Sequence, residues 1–254
     1  MKRVLTPREH GTYAQLAFPL LSGLIVGGPT LAGGALALAV VCVFLAYEPV
    51  AVLLGVRGVR LRQERSSDAR RQLTLFVPGA LVLGGAALLL APAPARLLVL
   101  VPAGLALPLA PLVVARRVKT FAGETVTAAA LAAMHLPIAA SAGASGVTLW
   151  GPALVWFVAF FLATLAVHAI KARQKQRDRW LRVLALWSTV AVGVATLALA
   201  VDLAPLRLPA LALALPLGAI LAVNLTRVHP RALKRVGWIL VASDVAALGL
   251  LALL

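Results

Sequence analysis

The chain has 254 residues, of which 62% are hydrophobic and only 13% charged, and its formal net charge at pH 7 is +16. A soluble domain of this length needs far more charge to cover its surface, so the composition excludes a soluble globular protein. The positive charge lies in short gaps between apolar segments, where membrane topology and anionic lipid headgroups account for it, so we expect no nucleic-acid partner. The single cysteine, Cys42, excludes an intramolecular disulfide and a cysteine-based metal site.

Nine apolar segments follow one another along the chain, and a membrane-spanning helix needs about 20 such residues, or somewhat fewer in a bundle. We therefore predict an all-α, polytopic transmembrane bundle of about nine helices that forms a single domain over residues 1–254. The predicted helices cover residues 12–28, 31–54, 73–91, 97–115, 121–143, 150–170, 183–201, 209–225 and 236–254.

Basic residues occupy alternate gaps between these segments. All but two of the 24 Lys and Arg residues lie in one set of gaps, and the other set holds only Arg96 and Arg207. Because cytoplasmic loops retain Lys and Arg during insertion, this pattern predicts a cytoplasmic N-terminus and a C-terminus outside. The lipid bilayer and its anionic headgroups are the partners that follow from this charge.

The segment before the first predicted helix is dense in polar residues. Thr6 can cap a helix that begins at Pro7, and Glu9 at the third helical position can close a capping box. That leaves His10 and Gly11 without a structural role. Glu9 and His10 could supply acid–base chemistry at the level of the headgroups, whereas a metal site needs more ligands than this pair.

Two carboxylates lie inside predicted helices, where an ionisable group is costly and is a functional hypothesis by default. Glu48 precedes Pro49 in the second helix, and Asp244 lies in the ninth. With Glu9 and His10 they form our candidate set for catalysis, in a polar cavity open to the cytoplasm. The alternative is structural, with Glu48 and Asp244 protonated or paired to a neighbouring helix. For His135, in the outer half of the fifth helix, we favour a packed, hydrogen-bonded side chain.

Two long basic loops, 57–71 and 171–182, carry six Lys or Arg residues each. Both contain few Gly or Pro residues, so we predict that they extend the second and sixth helices beyond the bilayer. Short and long loops recur in the same order in helices 1–4 and 5–8, which suggests a four-plus-four-plus-one parallel repeat. The candidate contacts for a bound anion are Arg57, Arg60, Lys175 and Arg177.

The opening motif Arg8-Glu9-His10-Gly11, followed by an aromatic residue, and the later step Tyr47-Glu48-Pro49 before a basic loop resemble the YwiC-like bacterial membrane proteins. The resemblance implies a multi-pass protein of the bacterial inner, or cytoplasmic, membrane. It implies no particular activity.

The layout of nine helices with long inner loops after the second and sixth is also similar to UbiA-type prenyltransferases. That likeness implies aspartate-rich loops that hold Mg²⁺ against a prenyl diphosphate. Here the first loop has Glu64 and Asp68 among six Arg residues, and the second has one acidic residue, Asp178. The sequence therefore has no aspartate-rich motif that would hold Mg²⁺. Mg²⁺ is possible but has no support of this kind, and we expect no metal and no cofactor. Arginine can bind a phosphate directly.

The leading hypothesis is a protein that binds or modifies an anionic lipid or lipid phosphate at a cytoplasm-facing cavity. A non-catalytic scaffold or partner subunit, with a protein partner in the membrane, is the first alternative, and a small-solute transporter is the second. The residues alone leave open whether the protein is an enzyme.

Overall fold

The computed structural model describes residues 5–6, 10–174, 179–226, 228–229 and 232–254, without the side chains of residues 10, 173, 174 and 179. Within this part the chain is helical and forms no strand, and its nine helical segments follow the nine predicted ones. They are α1 (His10–Val26), α2 (Leu31–Leu53), α3 (Val59–Leu90), α4 (Ala93–Leu98, Leu100–Ala106 and Leu109–Val114), α5 (Phe121–Ala133 and His135–Ala140), α6 (Gly146–Gln174), α7 (Arg179–Asp202), α8 (Arg207–Leu225) and α9 (Leu233–Leu251), with a short 3₁₀ turn at Ala204–Leu206.

Proline interrupts two of these segments, which the sequence predicted as continuous helices. The breaks in α4 and α5 include Val99 and Met134, which lie three residues before Pro102 and Pro137 respectively. Proline has no N–H to donate to the carbonyl four residues earlier, so the ladder of helical hydrogen bonds opens at these positions.

The first long basic loop extends α3 and not α2, which corrects the prediction. Gly55 has φ of 70° and follows the end of α2, where its N–H bonds to the Val52 carbonyl and the Val56 N–H bonds to the Ala51 carbonyl. This left-handed cap ends the helix. The chain then turns and α3 begins at Val59. Of the second basic loop, residues 171–174 extend the sixth helix, as predicted, because α6 continues to Gln174, whereas Arg179 begins α7.

Seven of the segments, α2 to α8, are long and apolar enough to cross a membrane among the residues described, which makes this a multi-pass membrane protein. The first helix is shorter, with an apolar stretch over Gly11–Val26. The buried fraction of each helix distinguishes the central helices of the bundle from the peripheral ones. In α5 and α6, 56% and 61% of the apolar window lies inside the protein, whereas in α3 and α4 only 6% does. The outer faces of α3 and α4 therefore contact the lipid bilayer.

Contacts between distant turns place the basic gaps at one end of the bundle. Arg116, after α4, donates a hydrogen bond to the carbonyl of Gly55, after α2, at 3.1 Å. Glu124 at the start of α5 lies 3.0 Å from His168 near the end of α6. We call this end, formed by residues 54–71, 115–124 and the last turns of α6, the basic end.

A polar network crosses the core where α1, α5 and α6 meet. The buried Trp156 indole donates to the Ser22 hydroxyl at 2.8 Å, and that oxygen lies 2.9 Å from Nδ1 of His135. The other ring nitrogen, Nε2, lies 3.1 Å from the Thr148 carbonyl, which can only accept, so Nε2 carries the hydrogen. On the other side of the ring, Nδ1 contacts the Ser22 hydroxyl, which also donates to the Pro19 carbonyl of its own helix at 3.1 Å. The interpretation of His135 as a packed, hydrogen-bonded histidine is confirmed.

Small residues bring α1 close to the second half of α5. A Cβ added at Gly27 would lie 2.6 Å from the Ala139 Cα, and one added at Gly23 would lie 2.8 Å from Ile138. Such a four-residue spacing of glycines is typical of closely packed membrane helices.

We predict that Gly27→Ala destabilises the protein by about 1–3 kcal/mol, because backbone on one of the two helices must shift. The matched control is Gly34→Ala, since nothing lies within 4 Å of a Cβ at that position in α2. That variant should be neutral, or more stable by about 0.5–1 kcal/mol. Thermal unfolding in detergent measures both, and equal unfolding temperatures would contradict this helix contact.

Candidate functional site

Four titratable side chains lie on helices that share α1 as a neighbour. The helices α2, α5, α6 and α9 all pack against α1. Among their titratable residues are Glu48 on α2, Glu124 on α5, His168 on α6 and Asp244 on α9. On α1 itself the ring of Tyr13 meets the edge of Phe44, one helical turn before Glu48, at 5.3 Å. These groups and the turns beside them make up the candidate site.

Glu48 is buried and ion-paired. Its Oε2 lies 2.6 Å from Nη2 of Arg57, and the two side chains are 6% and 26% exposed. Arg57 belongs to the turn after α2, so its side chain folds back over the end of the helix to reach the carboxylate. A buried carboxylate needs such a partner, because the cost of its desolvation is large. The pair therefore joins one predicted cavity residue to one predicted anion contact.

Arg116 connects the two neighbouring basic turns. Its φ is 57°, the left-handed region that glycine normally occupies after a helix, and its own N–H bonds to the Val113 carbonyl while that of Arg117 bonds to the Leu112 carbonyl. For a residue with a Cβ this conformation costs about 1–2 kcal/mol. Its side chain compensates by donating to the carbonyl of Gly55, which caps α2 in the same way.

Glu124 and His168 form a pair that the sequence did not predict. Glu124 Oε2 accepts from His168 Nε2 at 3.0 Å, and both side chains are about three-quarters buried, with 27% and 20% exposed. The ring of Phe121 stands edge-on to the imidazole at 5.7 Å. A carboxylate that holds one imidazole nitrogen orients the ring and leaves the other nitrogen for a proton transfer. The only signal in the sequence was that both residues lie at cytoplasmic ends of predicted helices.

Asp244 lies at the centre of the buried face of α9. The residues one and two turns later on that face, Ala247 and Leu251, are completely buried, and Asp244 itself is 7% exposed. Among the residues that the structure describes, the carboxylate has no ion-pair partner and no side-chain hydrogen-bond partner. It is thus separate from the two paired carboxylates.

The remaining predicted site residues are not brought into this set. Arg60 is 92% exposed and pairs with Glu64 at 2.8 Å on the surface of α3. Glu9, Lys175 and Arg177 lie outside the described residues, and His10 begins α1 with its side chain outside them. The roles of these residues stay predictions, as does the expectation that no metal or cofactor takes part.

Comparison with known proteins identifies the first half of the chain. The YwiC-like protein family model matches residues 6–139, more than half of the 254 residues. That range contains Glu48, Arg57, Arg116 and Glu124, whereas His168 and Asp244 lie beyond it. No curated protein and no solved structure matches the chain. The chain belongs to the YwiC-like protein family, as the motifs around Glu9 and Glu48 indicated.

Proposed function

We propose that the basic end binds the headgroup of an anionic lipid or a lipid phosphate, and that it faces the cytoplasm of a bacterial inner membrane. The N-terminus would then lie inside and the C-terminus outside, as the distribution of Lys and Arg favours. The proposal includes Arg57 and Arg60 among the anion contacts, together with Lys175 and Arg177.

The charge at this end supports the proposal. Residues 55–71 and 116–119 hold nine Lys and Arg side chains, against Glu64, Asp68 and the adjacent Glu48. Near an anionic membrane surface each such cation contributes about 1 kcal/mol of attraction. Seven of the nine side chains are exposed, namely Arg60, Arg62, Arg70, Arg71, Arg116, Arg117 and Lys119.

The observation that carries the proposal is the position of Arg116. Glycine would relieve the left-handed backbone there, yet the chain has an arginine whose guanidinium reaches the α2–α3 turn. That contact holds two basic turns side by side, while the buried Glu48 fixes Arg57 of the first turn through a 2.6 Å ion pair. Fixing cations before the ligand arrives lowers the entropy cost of binding, and arginine recognises phosphate oxygens through paired hydrogen bonds.

Chemistry on the bound lipid would fall to the Glu124–His168 pair, whose helix α5 begins directly after the Arg116 turn. Under this hypothesis His168 acts as a general base and Glu124 orients its imidazole ring. The predicted roles of Glu9, His10 and Glu48 in a polar cavity belong to the same proposal. A scaffold function is the second candidate, because the apolar faces of α3 and α4, which are almost wholly unburied, could also receive a membrane-spanning protein partner.

Two substitutions at one position separate backbone strain from charge. Arg116→Gly should reduce the affinity for phosphatidylglycerol about fivefold, the loss of one cation contact of about 1 kcal/mol, without lowering stability, since glycine accepts the left-handed backbone. Arg116→Ala should lose the same affinity and also be less stable. Native mass spectrometry in detergent measures lipid binding, with polyprenyl phosphate as a second ligand and phosphatidylcholine as the neutral reference.

The matched control is Arg207→Ala, because Arg207 also donates to a backbone carbonyl, that of Ala200, but belongs to the opposite set of gaps. It should leave lipid binding unchanged. Stronger binding of polyprenyl phosphate than of phosphatidylglycerol would indicate a specific lipid-phosphate site, and the reverse a headgroup surface. Equal binding of phosphatidylcholine and both anionic lipids would overturn the proposal, and co-purification of one stoichiometric membrane protein would favour the scaffold.

A further inference from the structure

The carboxyl group of Asp244 is far from the basic end. The nearest cations on its own helix, Arg235 and Lys234, lie nine and ten residues earlier, which is about 14–15 Å along a helix that rises about 1.5 Å per residue. The Asp244 side chain is only 7% exposed, and the buried Val236, Ala247 and Leu251 flank it along α9. It therefore belongs to the apolar core and not to the anion site proposed above.

The helices that pack against α9 are α1, α6 and α8. Their titratable groups are engaged elsewhere or lie near helix ends: His168 bonds to Glu124, Arg207 bonds to the Ala200 carbonyl, and Lys171 is exposed in the last turns of α6. The other titratable groups on these helices are Tyr13, whose ring contacts Phe44, and His10 and Arg173, whose side chains lie outside the described part.

An ionised carboxylate without a partner is strongly disfavoured in such surroundings, since neither water nor a cation replaces its hydration. The protonated acid has no net charge and costs far less to bury. We propose that Asp244 is a proton-binding site inside the membrane, protonated while α9 is packed against α1, α6 and α8. Release of the proton would then require water or a cation to enter beside α9, which couples proton binding to the packing of this helix.

The proposal predicts a specific chemical reactivity. An apolar carbodiimide such as dicyclohexylcarbodiimide dissolves in the bilayer. The O–H group of a protonated carboxyl adds across a C=N bond of this reagent and gives an O-acylisourea, which rearranges to a stable N-acylurea. Both steps keep all atoms of acid and reagent, so no oxidant, reductant or leaving group is needed. The full-length protein in lipid nanodiscs should therefore acquire one adduct, mapped by peptide mass spectrometry to Asp244.

Labelling of Asp244 should decrease as the pH is raised, and a water-soluble carbodiimide should not modify it. Asp244→Asn should abolish the adduct, whereas Glu64→Gln, which removes an exposed carboxylate of α3, should leave it unchanged. The wild-type result is decisive even if Asp244→Asn does not fold.

Three results would overturn the proposal. The first is a wild-type protein without an adduct on Asp244. The second is equal labelling by the water-soluble reagent, which would show a carboxylate open to bulk water. The third is labelling that appears only in His10→Ala, since Asp244 would then be ionised and paired with His10. None of these results concerns Arg116 or lipid binding, so the two proposals fail independently.

Discussion

Arg57→Leu is expected to destabilise the protein by about 3–5 kcal/mol, the cost of leaving a buried carboxylate without its partner. Glu48 is 6% exposed, and within the described part of the chain its ion-pair partner is Arg57, at 2.6 Å. Leucine keeps the apolar stem of the side chain but offers no positive charge. Unfolding in mixed detergent micelles, followed by circular dichroism, measures the change.

Two further variants distinguish this pair from an ordinary surface contact. Glu48→Gln in the Arg57→Leu background removes the buried charge and should recover most of the lost stability. Arg60→Leu is the matched control, because its pair with Glu64 is exposed and such pairs contribute about 1 kcal/mol or less. Equal losses for Arg57→Leu and Arg60→Leu would show that burial of Glu48 plays no part.

Ser22→Ala should be the second most damaging small change, with a loss of about 2–5 kcal/mol. One hydroxyl contacts both the Trp156 indole N–H and the His135 ring nitrogen, so alanine leaves two polar groups without this partner in the buried core. Each such orphaned group costs about 1–3 kcal/mol. The same unfolding experiment in mixed micelles tests this prediction.

Trp156→Phe in the Ser22→Ala background removes one of the groups left without a partner. It should therefore lower the stability less in that background than it does in the wild type. Ser188→Ala is the control, since that hydroxyl is half-buried and bonds only to the Ala185 carbonyl of its own helix. A loss for Ser22→Ala no greater than for Ser188→Ala would contradict the role of this network.

Proline shows where prediction of the helices succeeded and where it failed. Hydropathy located all nine helical segments, and among the described residues seven of them, α2 to α8, are long and apolar enough to cross a membrane. Apolar length is a local property that the bilayer selects. It did not distinguish Pro19 and Pro49, which lie inside continuous helices, from Pro102 and Pro137, which follow breaks. Whether the carbonyl freed by a proline is tolerated within the helix depends on neighbouring groups, which hydropathy does not describe.

The prediction of the candidate site also succeeded only in part. Their predicted depth in the membrane singled out Glu48 and Asp244 as cavity residues. Its position in a basic loop singled out Arg57 as an anion contact. The structure pairs Glu48 with Arg57 because a left-handed glycine turns the chain back over the end of α2. It also pairs Glu124 with His168, 44 residues apart, and leaves Asp244 apart from both.

The amino-acid sequence was enough to identify a multi-pass helical membrane protein of the YwiC-like family, with its basic residues in alternate gaps. Those conclusions rest on composition, charge order and short motifs, which need no knowledge of neighbouring helices. Which charges meet could be seen only in the packed helices, because an ion pair depends on distances of a few ångströms between separate helices and turns. The contact of Arg116 with Gly55 and the buried face around Asp244 arise from that packing alone.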